Sequence, residues 1–142
     1  MTALDTSVAI ASLVSWHEHH DVCRRAAAGA RAPAQVVLET YSVLTRLPAP
    51  HRLDGHVAAD LLSARFRSKD VLAASLRLQR SLVAQLAEVG LEGGATYDGY
   101  VGLTAAAHSE LLLSRDRRAA RTYELLAVPF ELVEPDPPDD AR

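Results

Sequence analysis

Short apolar segments alternate with longer segments of helical periodicity, and this alternation is the strongest constraint on the fold. The apolar segments predict strands at residues 2–4, 31–33, 69–73, 111–114 and 130–133. The segments between them predict helices at residues 7–15, 18–28, 34–47, 54–67, 75–89, 98–108 and 117–126. Strands that alternate with helices form parallel sheets with helices on both faces. We therefore expect an α/β fold, a three-layer α/β/α sandwich with a central twisted parallel sheet.

The chain is long enough for one domain and its core. No internal repeat divides its 142 residues, and we place the domain at residues 1–134. The remaining segment, PDPPDDAR, contains three prolines and three aspartates in eight residues. Such a segment cannot bury apolar surface, so we predict a disordered, acidic, proline-rich tail at residues 135–142.

Composition indicates the class of protein and its compartment. Hydrophobic residues make up 49% and charged residues 23% of the chain, as in soluble globular proteins. Cys23 is the single cysteine, which excludes an intrachain disulfide and favours a reducing compartment. No basic segment precedes an apolar stretch near the first residue, and no apolar run approaches the roughly 18 residues of a membrane span. We expect a cytoplasmic protein without a membrane segment.

The net charge of −3 does not exclude a nucleic acid partner. Residues 1–130 carry 14 basic and 13 acidic residues, so the negative total comes from the C-terminal segment. Lys69 is the one lysine among 15 basic residues. Arginine binds phosphate oxygens through its planar guanidinium, which is compatible with RNA as a partner. A genome rich in G and C explains the same arginine bias equally well.

Three acidic residues are predicted at the carboxyl edge of the sheet, where parallel α/β proteins bind ligands. Asp5 directly follows the first strand, and Asp116 follows the strand at 111–114 by two residues. Asp98 begins a predicted helix after a glycine-rich loop and faces the same edge if that helix runs back along the sheet. Glu39 lies within a helix beside its apolar stripe, where a carboxylate is costly unless a positive charge accompanies it.

Four converging carboxylates point to a divalent cation, because like charges at close range raise one another's pKa. Oxygen ligands without paired histidine or cysteine select a hard ion such as Mg²⁺ or Mn²⁺. Such an ion is suited to phosphodiester cleavage. Each acid taken alone also has a structural explanation. Asp5 and Asp98 would cap helices, Asp116 would occupy a turn, and Glu39 would pair with an arginine.

Four segments together resemble, in order and spacing, the acidic motifs of the PIN-domain ribonucleases, most closely the toxin half of VapBC toxin–antitoxin pairs. They are LDTSV at 4–8, VVLETYSVLTRL at 36–47, ATYDGYVGLTAAA at 95–107 and LLLSRDRRAARTYELLAV at 111–128. The resemblance covers residues 2–133, nearly the whole predicted domain. No single motif is specific, but the ordered set, with the last acid in an S/T-x-D motif, is.

The resemblance implies an RNA endonuclease that requires Mg²⁺, or Mn²⁺ in its place, and cleaves structured RNA such as tRNA or ribosomal RNA loops by metal-activated water. It implies a homodimer and a VapB-like antitoxin that covers the active site. Its catalytic and metal-binding acids correspond to Asp5, Glu39, Asp98 and Asp116, with Asp5 and Asp98 the best candidates for direct metal contact. Thr6 and Ser114 correspond to supporting polar residues.

Two features depart from the family pattern. Many relatives have a further acid three residues before the third motif acid, where this chain has Ala95. The expected consequence is a weaker metal site. Gly99 and Gly102 replace the alanine and branched residues usual in that helix, which lowers its intrinsic stability by roughly 1 kcal/mol each. We expect the two glycines to permit movement near Asp98.

Other polar clusters have competing interpretations. The arginines around Asp116 form a solvated helix face, or Arg115 and Arg117 bind RNA phosphate beside the metal. The histidines of WHEHHD and Cys23 have transition-metal ligand types, but we interpret these histidines as solvated helix-end residues.

Two other functions remain open at the sequence level. One is a catalytically idle PIN fold that binds RNA or protein, which the missing acid at Ala95 makes conceivable. The other is a receiver-like phosphate switch, which also gathers acids at a parallel-sheet edge. That class needs a lysine after a late strand, and Lys69 comes too early in the chain to serve.

Overall fold

Five short strands and seven helices alternate along the computed structural model, which describes residues 1–137. The strands are β1 (Thr2–Leu4), β2 (Ala32–Pro33), β3 (Val71–Leu72), β4 (Leu111–Ser114) and β5 (Phe130–Leu132). The helices are α1 (Thr6–Leu13), α2 (His20–Ala26), α3 (Ala34–Leu44), α4 (Gly55–Arg65), α5 (Leu76–Glu88), α6 (Ala95–Ala107) and α7 (Arg117–Leu125).

All strand pairs are parallel. β4 pairs with β1 on one side and β5 on the other, and β2 pairs with β3. A bridge between Ala3 and Arg31 joins the two groups, with the Leu4 N–H donating to the Arg31 carbonyl at 2.9 Å. The strand order is therefore β3-β2-β1-β4-β5, which confirms the predicted parallel sheet.

The central strands are buried on both faces, which confirms the three-layer arrangement. Successive side chains of a strand point to opposite faces of the sheet. Ala3 and Leu4 of β1 are both fully buried, as is Leu112 of β4, while the adjacent Leu113 is nearly so. Helices must therefore cover both faces.

The observed elements differ from the predicted bounds by up to three residues, and α3 ends at Leu44 and not at residue 47. The third predicted strand and the sixth predicted helix differ for identifiable reasons. Strand residues 69–73 shorten to Val71–Leu72 because Ser68–Asp70 form a 3-10 turn, in which the Asp70 carboxylate accepts from the Arg67 N–H at 3.2 Å. α6 begins three residues before Asp98, because Gly93 turns the chain with a φ of 61° and Gly94 serves as the N-cap. Asp98 consequently lies in the first turn of α6 and does not cap it.

The two glycines of α6 have a packing role that the sequence did not reveal. A Cβ at Gly99 would overlap Leu86 of α5, and one at Gly102 would lie 3.0 Å from the ring of Tyr123 in α7. Their absent side chains let α6 approach both neighbouring helices closely. We therefore interpret both glycines as close-packing residues, while the movement expected near Asp98 stays a prediction.

The predicted tail is only partly within the described residues. Asp136 forms an ion pair with Arg25 of α2, whereas 138–142 lie outside the described residues. The disorder of the tail stays a prediction. Among residues 1–137, no helix combines the length and apolar character needed to cross a membrane.

Candidate acidic active site

Asp5 is the most deeply buried of the four acids. It directly follows β1 and caps α1, with its Oδ1 accepting from the Val8 N–H at 3.2 Å. The same Oδ1 accepts from the Ser7 hydroxyl at 2.5 Å, and Oδ2 accepts from the Tyr123 hydroxyl at 3.2 Å. Burial raises the pKa of Asp5, and hydrogen bonds led by Ser114 act in the opposite direction. The helix cap and the site residue are thus the same carboxylate.

Two residues that fix Asp5 were missed by the sequence reasoning. Ser7 also accepts a hydrogen bond from the Arg115 N–H at 2.8 Å, so its hydroxyl links the ends of β1 and β4. Tyr123 is fully buried in α7 and reaches Asp5 across 118 residues of sequence. Ser7 lies within the LDTSV motif, so its position next to Asp5 could have been recognised from the sequence. No local sequence feature indicates that Tyr123 contacts Asp5.

Glu39 is held by hydrogen bonds and not by a positive charge. Thr6 donates to its Oε2 at 2.5 Å, and Gln35, one turn earlier in α3, donates to its Oε1 at 3.1 Å. The predicted pairing with an arginine is absent among the contacts of the described residues. The supporting role predicted for Thr6 is compatible with this contact, because its hydroxyl orients the Glu39 carboxylate.

Asp116 caps α7, as Asp5 caps α1. Its Oδ1 accepts from the Arg118 N–H at 2.9 Å, and its own N–H donates to the Ser114 hydroxyl at 3.1 Å. The turn position predicted for Asp116 is therefore a helix N-cap at the carboxyl end of β4. Ser114 is fully buried beneath it and faces both Asp116 and Asp5.

The pKa of Asp98 depends on the positions of the other three acids. Its pKa is raised to about 6, first by burial and then by the charges of Asp116, Asp5 and Glu39. The pKa of a carboxyl group rises in this way when like charges surround it in a partly desolvated position. The structure thus brings all four predicted acids within electrostatic range of one another.

The acids do not form a preformed metal cluster within the described residues. Among residues 1–137, no three acidic, histidine or cysteine side chains form a ready metal-binding group. The donor set nevertheless fits a hard divalent cation, because it offers only oxygen atoms and concentrates negative charge around Asp98. A cation there would offset the repulsion that raises the pKa of Asp98.

The arginines beside Asp116 differ in exposure and in partners. Arg117 is exposed and donates to Glu134 at 2.7 Å, and Arg118 lies 3.8 Å from Asp116. Arg115 is partly buried near Cys23, and its Nη1 has no hydrogen-bond partner within the described part of the chain. The RNA contacts predicted for Arg115 and Arg117 stay predictions.

The histidine and cysteine cluster does not assemble a metal site in the described residues. His19 pairs with Glu18 at 3.0 Å, and a ring nitrogen of His20 contacts the Ala11 carbonyl at 2.9 Å. Cys23 is fully buried, and burial raises the pKa of its thiol. These residues serve the packing and polar surface of α2.

Two grooves flank the acids. The first, which we name the α3 groove, has a volume of about 430 Å³ and includes Glu39 in its wall. Its lining residues are Thr6, Gln35, Leu38, Glu39, Ser42, Val43, Arg46 and Tyr97. The second, the arginine groove, has a volume of about 600 Å³ and includes Asp116. It is lined by Ser7, Ile10, His17, Glu18, His19, Arg115, Asp116, Arg117 and Arg118.

Comparisons with known proteins identify the family of this chain. A family model of the PIN domain matches residues 2–125. Ribonuclease VapC40 of Mycobacterium tuberculosis is 48% identical over 134 residues, which are 94% of this chain and 99% of that protein. Ribonuclease VapC27 of the same organism is 44% identical over 128 residues, covering 89% of this chain and 92% of that protein.

A solved structure supports the same fold at low sequence identity. A chain of the structure of FitAB bound to IR36 DNA fragment matches with a TM-score of 0.63 and 18% identity, covering 93% of this chain and 94% of that chain. At that identity the likeness concerns the fold. The family model and the two ribonuclease relatives show that the chain belongs to the PIN domain family, in its VapC branch.

Proposed function

We propose that this protein is a metal-dependent endoribonuclease that acts in the cytoplasm as the toxin of a toxin–antitoxin pair and cleaves structured RNA such as tRNA or ribosomal RNA loops. The observation that carries the proposal is that Asp5 and Asp116 follow the paired parallel strands β1 and β4 at the same edge of the sheet. Asp98 lies close enough to both for their charges to raise its pKa. Ribonucleases VapC40 and VapC27 are the named relatives that support it.

The residues around the acids support Mg²⁺, or Mn²⁺, as the cofactor. Asp5, Glu39, Asp98 and Asp116 would hold the ion, and the bound ion would supply activation of water and neutralisation of phosphate charge. Hydrogen bonds from Ser7 and Tyr123 orient Asp5, while Thr6 and Gln35 orient Glu39. Residues of this kind hold the direct ligands in place, and their loss typically weakens metal binding or activity about 10–100-fold.

Positive charge on the Asp116 side of the site is the expected contact for RNA. Arg115, Arg117 and Arg118 line the arginine groove next to that acid. Arginine guanidinium groups bind phosphate by two parallel hydrogen bonds. We assign Arg115 and Arg117 to the RNA backbone, with Arg117 exchanging its exposed ion pair with Glu134 for a phosphate.

We further propose that a VapB-like antitoxin covers the acids and that the protein forms a homodimer. The support is the kinship with VapC proteins. A cationic segment from such a partner would neutralise the carboxylates around Asp98, in the same way as a metal ion.

The experiment that tests the function is incubation of the purified chain, free of any partner, with total tRNA and ribosomal RNA. Reactions contain Mg²⁺ or EDTA, and Asp98→Asn is compared with the wild type and with Asp60→Asn, a matched change of an exposed aspartate in α4. We expect discrete cuts that require both Mg²⁺ and Asp98, with Asp60→Asn behaving as the wild type. Cleavage that persists in Asp98→Asn would refute this site.

Thermal unfolding with and without Mg²⁺ separates the nuclease from an idle PIN fold. A metal-dependent rise in the melting temperature, lost in Asp98→Asn, is expected for the nuclease. A folded protein with neither a metal-dependent shift nor a cut would indicate the idle RNA- or protein-binding module.

A further inference from the structure

The α3 groove carries a feature that the acids do not explain. Tyr97, the residue before Asp98, is 59% exposed and is the most exposed aromatic side chain of the chain. Leu38 of α3, 63% exposed, lines the same groove. Large apolar side chains gathered in one exposed concave region mark a binding surface.

Polar groups of the α3 groove are arranged from an acidic end to a basic end. Glu39 stands at the acidic end, where Thr6 and Gln35 already donate to its carboxylate. Arg46 lies in the turn that follows the end of α3 at Leu44 and lines the same groove. Its Nη1 donates to the exposed Ser42 hydroxyl at 3.2 Å, and the other donors of its guanidinium have no partner within residues 1–137.

We propose that the α3 groove is a nucleotide subsite that takes one unpaired RNA base against the ring of Tyr97, while the adjoining phosphate lies at the acidic site. The inference rests on the proposed function and names the part of the substrate that this side of the site recognises.

The chemistry of the α3 groove matches that occupant. An unpaired base offers a flat apolar face to stack on Tyr97 and polar edges for the Ser42 hydroxyl and the Arg46 guanidinium. A paired base in a duplex has both faces stacked and cannot enter. The volume of about 430 Å³ is within the range of pockets that bind small ligands.

A rival aromatic surface lies elsewhere on the molecule. Trp16 is 48% exposed and follows α1. Its ring packs against His51 with the ring centroids 4.2 Å apart and the planes tilted by 30°, so one side of the indole is already in contact. Tyr97 has no such aromatic neighbour among the described residues, and it directly precedes a site acid.

The test measures RNA binding separately from cleavage. The probe is a fluorescent RNA hairpin with a randomised seven-nucleotide loop, and the comparison is a blunt duplex of the same stem. Binding is followed by anisotropy in the Asp98→Asn background, so that the RNA is not consumed. Tyr97→Ala, Tyr97→Phe and Trp16→Ala are then added singly, and circular dichroism confirms that each variant is folded.

We expect the hairpin to bind more tightly than the duplex. Tyr97→Ala should weaken hairpin binding at least fivefold, the lower limit for loss of one stacked base, and leave duplex binding unchanged. Tyr97→Phe should stay within twofold of the parent, because the ring is retained. Trp16→Ala should have no effect.

Three results would overturn the subsite. They are unchanged hairpin affinity in Tyr97→Ala, an equal loss on hairpin and duplex, and a loss in Trp16→Ala that Tyr97→Ala does not show. The nuclease is judged separately from the cleavage reactions with Mg²⁺ and EDTA. Loss of hairpin binding in Tyr97→Ala without any metal-dependent cutting would support the subsite and refute the nuclease. Metal-dependent cutting together with unchanged hairpin binding in Tyr97→Ala would refute the subsite and leave the nuclease supported.

Discussion

At the scale of single residues, two carboxylates of the candidate site also cap helices. Asp5 and Asp116 satisfy the first N–H groups of α1 and α7, and both raise the pKa of Asp98. The structural explanation of each acid and its functional one are therefore compatible. A helix that begins directly after a parallel strand places its capping side chain at the carboxyl edge of the sheet.

The raised pKa of Asp98 predicts a pH-dependent stability of the metal-free protein. In the unfolded chain the carboxyl titrates near 3.8, and in the folded protein near 6. The folded state therefore retains a proton that the unfolded chain has lost, so stability falls as pH rises from about 4 through about 6. Urea unfolding in EDTA between pH 4 and 7.5 measures this slope.

Asp98→Asn is the control for that slope. The variant should lose stability less steeply over the same pH range, with a remainder from Asp5, whose pKa is raised in the same direction. Mg²⁺ should stabilise the wild type more at pH 7 than at pH 5, because a cation binds the ionised form. Identical pH profiles for wild type and variant would contradict the placement of Asp98 among the other acids.

At the scale of elements, the two glycines of α6 let this helix pack closely against α5 and α7. Gly102 lies against Tyr123, whose hydroxyl donates to Asp5, and Gly99 lies against Leu86. The close approach of α6 and α7 therefore affects the position of Asp5 as well as the packing of the core.

Gly102→Ala should destabilise the protein even though alanine favours helix. The new Cβ would lie 3.0 Å from the Tyr123 ring and 3.2 Å from Val128, in a fully packed region. Overpacking costs about 1–3 kcal/mol, against roughly 1 kcal/mol gained from helix propensity. We expect a net loss of stability, together with weaker Mg²⁺ binding as Tyr123 is displaced from Asp5.

Gly94→Ala is the matched change on the same helix. Gly94 has a φ of −61° and nothing within 4 Å of its added Cβ. Its substitution should be neutral or slightly stabilising. Urea unfolding and calorimetric Mg²⁺ titration of both variants provide the comparison. Equal stability of Gly102→Ala and Gly94→Ala would refute the packing role.

At the scale of the whole molecule, the carboxyl and amino edges of the sheet contain different charged groups. The carboxyl edge collects the acids, whereas the amino edge contains an ion pair between Arg31, before β2, and Glu110, before β4. The Glu110 side chain is 2% exposed, so its charge depends on Arg31 for compensation. The ion pair that stabilises the fold and the acids of the candidate site therefore lie at opposite ends of the strands.

Arg31→Ala should destabilise the fold without altering the site. Removing one partner of a buried pair leaves an uncompensated charge and costs about 2–4 kcal/mol, since Arg31 itself is only partly buried. Arg24→Ala, at an exposed position of α2, should stay within about 0.5 kcal/mol. Thermal unfolding measures both. Loss of Mg²⁺-dependent cleavage in folded Arg31→Ala would contradict the separation of the two edges.

The alternating pattern of the sequence determined the α/β class, the parallel sheet and the edge that receives the acids. These features follow from local periodicity and from the geometry of parallel strands, both readable from residue order. The resemblance to the PIN family on four motifs is confirmed by the relatives.

Only the tertiary structure decided what surrounds those acids. The Tyr123 hydroxyl reaches Asp5 across 118 residues, and the close approach of α6 and α7 depends on a glycine at position 102. The start of α6 at Ala95, which moved Asp98 from a cap into the first turn, required the left-handed turn at Gly93. Local periodicity cannot encode such relations, because they arise from packing between elements that are distant in the chain.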